Sequence, residues 1–160
     1  MAPLSEWLAT LAATPLARAL VGSSTLYLLV NAAHVMGIGL LFGSVIALDL
    51  RLIGWARMLP IAPAAVYLSR LAAAGLALAI VTGLCLFSVR PMEYAGNPAF
   101  LAKLALVGLG LANILAVHAS AGWRAVRSGR EPGIALRLGA TLSILIWGGA
   151  IVAGRWIGFL

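Results

Sequence analysis

Two histidines lie inside apolar stretches of the chain, where an imidazole is costly unless it faces a partner, a cavity or a cofactor. His34 is near the middle of the stretch 24–50, and His118 is near the end of the stretch 99–121. Both are candidate haem ligands, because haem iron in proteins is commonly held by an axial histidine. The alternative for His34 is a hydrogen bond to another helix, and His118 is close enough to a basic loop to reach water.

Three other residues fit a haem at these positions. Gly37 follows His34 by three residues on the same helical face, where a flat macrocycle needs a small neighbour. Lys103 and Arg155 lie near span ends and can offset the charge of haem propionates. Their alternative role is anchoring at the membrane interface. The predicted cofactor-binding set is therefore His34, His118, Gly37, Lys103 and Arg155, with the two histidines as iron ligands.

The depths of the two histidines differ. At ~1.5 Å per residue, His34 lies roughly 10–15 Å below one membrane surface, and His118 lies roughly 10 Å deeper. A shared haem would therefore have to be tilted, and independent roles for the two histidines stay open. The single cysteine, Cys85, excludes a CxxCH motif, so the predicted cofactor is haem b rather than covalently attached haem c.

The composition is that of an integral membrane protein. The chain has 160 residues, of which 63% are hydrophobic and only 9% are charged, and its mean hydropathy is +1.08. Soluble domains carry about 25% charged residues. Four stretches reach the ~20 apolar residues needed to cross a bilayer. They cover about 24–50, 64–89, 99–121 and 136–157.

These stretches predict an all-α fold, a single four-helix transmembrane domain over residues 1–160. The segment 3–21 has apolar residues at helical spacing, and Thr14-Pro15 is typical of a helix start. We therefore expect two short interfacial helices there, which could instead cover the bundle or contact a partner. Tryptophans near the span ends, among them Trp123 and Trp147, suggest an aromatic belt.

Charge sets the expected orientation. Seven of the eleven Lys and Arg residues lie in or beside the first and third connections. The positive-inside rule then places those connections in the cytoplasm and both termini outside. One lysine against ten arginines suggests GC-rich coding and a bacterial source, so we expect the inner membrane, with both termini in the periplasm. The net charge of +7 is explained by these flanking arginines, so we expect no nucleic-acid partner.

Other motifs carry less information. Gly39/Gly43 and Gly154/Gly158 have the GxxxG spacing of close helix contacts, which permits a homo- or hetero-oligomer without requiring one. Asp49 and Arg70 lie at adjoining helix ends and could pair. Neither an HExxH motif nor a Cys/His zinc pattern is present.

Three stretches resemble a group of small bacterial four-helix membrane proteins. They are AAHVMGIGLLFGSVIALDLRLIG at 32–54, AFLAKLALVGLGLANILAVH at 99–118 and GGAIVAGRWIGF at 148–159. The group contains an uncharacterised branch, a domain of unknown function, which LATLAATPLARAL at 8–20 also resembles. Its relatives are the membrane part of D-type copper-resistance proteins and the J-type protoporphyrinogen oxidases.

The resemblance implies a role for two residues. In the oxidase branch a first-helix histidine ligates b-type haem and a third-helix lysine belongs to the site, and His34 and Lys103 match those positions. The N-terminal helices and the DLRLIG segment, however, are similar to the uncharacterised branch, so porphyrinogen oxidation does not simply carry over.

Three functions follow as expectations. The first is an inner-membrane haem b protein that transfers electrons between quinone, or another membrane partner, and a redox protein outside. The second is an oxidoreductase acting on a porphyrinogen through the same haem. The third is a cofactor-free subunit for assembly or copper handling.

Overall fold

The computed structural model describes residues 2–159, with side chains from residue 4 onward, as a bundle of α-helices. Residues 1 and 160 of the predicted domain lie outside this range. No β-strand occurs between residues 2 and 159. The helices are α1 Ala2–Ala12, α2 Pro15–Gly22, α3 Ser24–Ile53, α4 Ile61–Val89, α5 Pro91–Gly96, α6 Pro98–Ala119, α7 Ala121–Arg127 and α8 Ile134–Trp156, followed by a 3-10 turn at Ile157–Phe159.

Four of these helices, α3, α4, α6 and α8, are long and apolar enough to cross a membrane. The prediction of an all-α, four-helix membrane fold is confirmed. The first span, α3, is longer than predicted and ends at Ile53. The next residue, Gly54, caps the helix with a φ of +117°, a left-handed conformation that favours glycine. The second begins at Ile61, because Pro63 falls in the first turn, where proline breaks no helical hydrogen bond.

The four long helices pack as a curved row. α4 packs on α3, α3 also packs on α8, and α8 packs on α6, whereas the backbones of α4 and α6 do not meet. Both described chain ends and the 90–97 connection lie at one end of the bundle, called here the terminal end. The opposite end, called here the arginine-rich end, carries α7 and the connections 54–60 and 128–133.

Glycines bring α3 and α4 into backbone contact. A side chain at Gly37 would place its Cβ 2.8 Å from the Ala79 nitrogen, and one at Gly75 would collide with the Leu41 nitrogen. Nothing lies within 4 Å of the corresponding positions at Gly39 and Gly43. The Gly39/Gly43 pair therefore faces outward and takes no part in packing within the chain.

The two N-terminal helices fold over the terminal end. The hydroxyl of Thr14 accepts a hydrogen bond from the Ala17 N–H, so the predicted start of α2 is confirmed. Leu20 and Ala17 are almost fully buried where α2 packs against α3 and α4. α1 packs against α5, and Trp7 stays 71% exposed on its outer side.

A buried arginine ties the connections of the arginine-rich end together. Both terminal nitrogens of Arg51, which is 2% exposed, donate to the Glu131 carboxylate, at 2.9 and 3.3 Å. Its Nε donates to the Leu59 carbonyl at 2.8 Å. The expected Asp49–Arg70 pair is wrong, since Arg70 is exposed and Asp49 lies beside Ser143. Arg51 makes the ion pair at this end instead, because the connections 54–60 and 128–133 bring the Leu59 carbonyl and the Glu131 carboxylate to the end of α3.

Two tryptophans are in the core rather than in an interfacial belt. Trp123 and Trp147 are each 4% exposed. Trp123 belongs to the cluster at the arginine-rich end, and Trp147 packs with Leu41 and Val45 near the middle of the bundle. For these two residues the belt interpretation is wrong, because α7 folds back on α4 and Gly110 of α6 leaves room for the Trp147 ring.

Candidate functional site

His34 is held by hydrogen bonds to α4. Its Nδ1 lies 3.0 Å from the hydroxyl oxygen of Thr82, and that hydroxyl lies 2.6 Å from the Leu78 carbonyl. Because the single hydroxyl proton of Thr82 is donated to Leu78, its oxygen accepts the bond from Nδ1–H of His34. The other ring nitrogen, Nε2, then carries the lone pair that a metal or a hydrogen-bond donor can use.

The His34 ring fits beside a glycine. A Cβ at Gly83 would lie 3.0 Å from Cε1 of His34, which is tighter than an ordinary contact. His34 itself is half-buried. Thr82 and Gly83 therefore orient the imidazole together. Thr82 accepts a hydrogen bond from its Nδ1–H, and Gly83 leaves space for the edge of the ring.

Gly37 has a different neighbour. Its open side faces the backbone of α4 at Gly75 and Ala79, so the space left by the missing side chain is filled by that helix. This contact accounts for Gly37 without a cofactor. Within the described residues, Gly37 and His34 share the face of α3 that packs on α4.

Lys103 approaches the same half of the bundle from α6. Its side chain lies along Gly154 of α8, where a Cβ would be 3.4 Å from the Lys103 Cδ. Lys103 is only partly exposed, and its charge acts on the His34 ring. Lys103 of α6 is thus a cation in the same half of the bundle as His34 of α3, within electrostatic range of its ring.

Arg155 lies one residue beyond Gly154, at the terminal end. It is exposed, and its guanidinium lies 4.9 Å from the centre of the Phe159 ring, a cation–π contact. Lys103 and Arg155 are therefore at the same end as His34, with Arg155 further out.

An aromatic cluster closes the terminal end between α4 and α6. Phe87 and Phe100 stack with their ring centres 5.4 Å apart, and Tyr94 packs against both at 6.1 and 5.4 Å. Burial raises the pKa of Tyr94, whose hydroxyl also interacts with Tyr27 of α3. This cluster fixes the 90–97 connection over the half of the bundle that contains His34.

His118 lies in the other half of the bundle. Both α3 and α6 begin at the terminal end. His34 lies ten residues into α3 and His118 lies twenty residues into α6. At ~1.5 Å per residue, the two histidines therefore differ in depth by about 15 Å. The buried Trp147 lies between these levels, against Gly110. The structure therefore does not bring the two histidines together.

His118 has local partners only. Its Nδ1 donates to the Ile114 carbonyl at 2.9 Å, and its ring packs on Trp123 with centres 4.4 Å apart. The Nδ1 bond leaves Nε2 as a free acceptor. His118 is exposed, at the arginine-rich end of α6.

The donor set at His34 fits a histidine that would ligate haem iron. It offers one imidazole nitrogen with its Nδ1–H held by Thr82, and a cation within electrostatic range. A carbonyl or hydroxyl acceptor on Nδ1 is the usual support for a metal-ligating histidine. A second axial histidine does not belong to this half. No group of three or more His, Cys, Asp or Glu residues that could hold a metal ion occurs among residues 2–159.

Compared with known proteins, the chain matches no family model, no curated protein and no solved structure.

Sequence patterns did not reveal the α4 side of the site. Thr82 and Gly83 lie in an uninterrupted apolar stretch, and only the hydroxyl of Thr82 sets it apart. Tyr27, Asn31 and His34 recur at helical spacing along α3, but they do not form one polar face, because Asn31 faces outward while His34 faces α4. The sequence suggested only an ion pair for Asp49, but Asp49 is buried and its Oδ2 has no hydrogen-bond partner among the described residues.

Proposed function

We propose that this multi-pass membrane protein binds b-type haem through Nε2 of His34 and serves electron transfer. The observation that carries the proposal is the bond from His34 Nδ1–H to Thr82, which fixes the tautomer with Nε2 free. A half-buried imidazole oriented in this way, inside a membrane span, has the chemistry of an axial ligand.

Each residue has a definite task in this proposal. Thr82 holds the His34 ring at one orientation and makes Nε2 more basic. Lys103, whose charge acts on His34, offsets the negative charge of a propionate and raises the reduction potential. The bound haem would supply reversible one-electron oxidation and reduction of its iron.

The setting is proposed from charge. Because seven of eleven Lys and Arg residues lie at or near the arginine-rich end, that end faces the cytoplasm of a bacterial inner membrane, and the His34 half faces the periplasm. Electrons would then pass between quinone in the bilayer and a redox protein on the periplasmic side.

The decisive experiment is an absorption spectrum of the detergent-purified protein, oxidised and then reduced with dithionite, from cells with sufficient haem. We expect a Soret band and a b-type reduced spectrum in the wild type and their loss in His34→Ala. His118→Ala is the matched control, because His118 lies about 15 Å deeper by the ~1.5 Å helical rise and should leave the spectrum intact.

Two results would contradict the proposal. A colourless wild-type protein after haem supplementation would leave His34 with its interhelical hydrogen bond and favour a cofactor-free subunit. A spectrum lost equally in His34→Ala and His118→Ala would mean that the two histidines serve one haem.

A second candidate is a porphyrinogen oxidase. The separation of the two histidines favours it, since a haem held by one protein histidine would keep an iron coordination position open for a substrate. The cations at the terminal end favour it as well. Lys103 and Arg155 would bind the substrate's carboxylates. Rescue of a bacterial strain lacking protoporphyrinogen oxidase separates the two, because an electron carrier would not restore growth.

A further inference from the structure

A partly enclosed cavity of about 160 Å³ lies in the arginine-rich half of the bundle, between α3, α4, α6 and α8. Its lining is mainly aliphatic and includes Leu41, Leu76 and Ile114. An apolar cavity of about 150 Å³ holds one benzene molecule. This cavity therefore has the size of a single six-membered ring.

Two polar atoms in the cavity lining have no partner among the described residues. Oδ2 of Asp49 is buried without a hydrogen bond, and so is Oγ of Ser69. Asp49 is 6% exposed. Leaving a buried polar atom without a hydrogen bond is unfavourable, because its interaction with water is lost and nothing replaces it. Two such atoms beside one cavity indicate that a ligand supplies their hydrogen bonds.

A second cavity of about 200 Å³ adjoins the first towards the arginine-rich end. Ser69, His118 and Trp123 line both cavities. His118 contributes a free acceptor, because its Nδ1–H is donated to Ile114. Arg70 and Arg127 line the outer cavity, so a cationic ligand would be repelled on this side.

The cavity is only partly enclosed. Residues of both α4 and α6 line it, although the backbones of these two helices do not come into contact. Towards the arginine-rich end α7 packs on α4, and its buried Trp123 lines the cavity. The α4–α6 side is therefore the candidate entry for a ligand dissolved in the bilayer.

We propose that this cavity binds the ring of a lipid-soluble quinol. The ring fills the aliphatic space, and its two hydroxyl groups donate to Asp49 and to His118, with Ser69 beside them. The Asp49 carboxylate and Nε2 of His118 accept hydrogen bonds and so favour the two hydroxyl groups of a quinol over the carbonyls of the corresponding quinone, whereas the Ser69 hydroxyl can donate or accept and does not discriminate between them. The site specifies the quinone partner of the proposed electron transfer, but binding here requires neither His34 nor haem.

The test is calorimetric titration of the purified protein in lipid nanodiscs with ubiquinol-1 under anaerobic conditions. Ubiquinone-1 and phenol are titrated in parallel. We expect saturable binding of ubiquinol-1 in the wild type, at least tenfold weaker binding of ubiquinone-1 and phenol, and about tenfold loss in Ser69→Ala or Asp49→Asn. Ser88→Ala is the matched control, since Ser88 is a buried serine of α4 bonded to the Cys85 carbonyl, far from the cavity.

Several results would overturn the proposal. They are an absence of saturable binding in the wild type, equal affinity for the quinol and the quinone, equal affinity for phenol, and equal losses in Ser69→Ala and Ser88→Ala. If Asp49→Asn does not fold, Ser69→Ala alone decides. Because His34→Ala should leave ubiquinol-1 binding unchanged, failure of the haem proposal and failure of this one give different results.

Discussion

At the level of single residues, the proton on Nδ1 of His34 decides what the site can do. The Thr82 oxygen accepts the hydrogen bond from that N–H, because the hydroxyl proton of Thr82 is donated to the Leu78 carbonyl. Without this acceptor the His34 ring would keep only its interaction with the Ala79 backbone, and its tautomer and orientation would be held less firmly. The histidine was visible in the sequence, but the residue that orients it was not.

Thr82→Val tests this relationship, because valine keeps the shape of threonine and removes the hydroxyl. We expect haem affinity to fall by about 10- to 100-fold, the usual cost of losing the partner of a ligating histidine. Titration of the haem-free protein with hemin measures the affinity. Thr82→Ser keeps the acceptor and should bind like the wild type; an unchanged affinity in Thr82→Val would remove Thr82 from the site.

Glu131 gives a pH dependence that can be checked without any cofactor. Hydrogen bonding to Arg51 lowers the pKa of Glu131 below its ordinary value of 4.5. The stabilisation is therefore present above pH about 4.5 and is lost as the pH falls through the lower, folded-state pKa. We expect Glu131→Gln to lower the melting temperature at pH 7, and the difference from wild type to shrink in acid.

The control for this prediction is Glu93→Gln. Glu93 also pairs with an arginine, Arg90, but both side chains are about two-thirds exposed, at 68% and 67%. Exposed pairs contribute little to stability. Equal melting temperatures for Glu131→Gln and the wild type at pH 7 would show that Arg51 does not need its partner.

At the level of helices, the contact between α3 and α4 sets the position of His34. Gly37 and Gly75 let the two backbones touch, and this close approach brings the His34 ring to Thr82 and Gly83. The GxxxG spacing in the sequence indicated Gly39 and Gly43 as possible helix contacts, but nothing lies within 4 Å of a Cβ at either position. Spacing alone does not say which glycines meet a neighbour, because the apolar residues of α3 are spread almost evenly around the helix.

Gly75→Ala should therefore destabilise the protein by about 1–3 kcal/mol, the usual cost of overpacking, because the new methyl meets backbone that cannot move independently. Gly39→Ala, on the open side of the same contact region, should be neutral or stabilising by up to about 1 kcal/mol, since alanine is the better helix former. Denaturation of the detergent-solubilised variants measures both. A Gly39→Ala variant as unstable as Gly75→Ala would contradict the packing described here.

At the level of the whole molecule, the bundle has two polar regions separated by an apolar layer. His34, Thr82 and Lys103 lie in the terminal half, and Asp49 and His118 lie in the arginine-rich half. Trp147 packs between them with Leu41 and Val45. The proposed haem and quinol sites therefore face opposite membrane surfaces.

The orientation can be measured by cysteine labelling in a Cys85→Ser background. Met92, at the terminal end, and Ser128, at the arginine-rich end, are both exposed. If the arginine-rich end is cytoplasmic, a membrane-impermeant maleimide should label Met92→Cys in spheroplasts and label Ser128→Cys only after permeabilisation. Labelling in the reverse order would invert the proposed topology.

The sequence by itself determined the all-α membrane fold, the four spans and the start of α2 at Thr14. These features depend on local composition, on apolar length and on capping, which a few neighbouring residues specify. It also singled out His34, because a polar residue in an apolar stretch is conspicuous whatever surrounds it.

The tertiary structure alone decided which residues meet. It paired Arg51 with Glu131 rather than Asp49 with Arg70, placed Thr82 at His34, and put His118 in the other half of the bundle. Hydrophobicity is almost uniform around these helices, so the sequence carries little information on which face turns inward. Backbone contact at Gly37 and Gly75 and the buried Trp147 set those faces, and they depend on the complementary shapes of helices far apart in the chain.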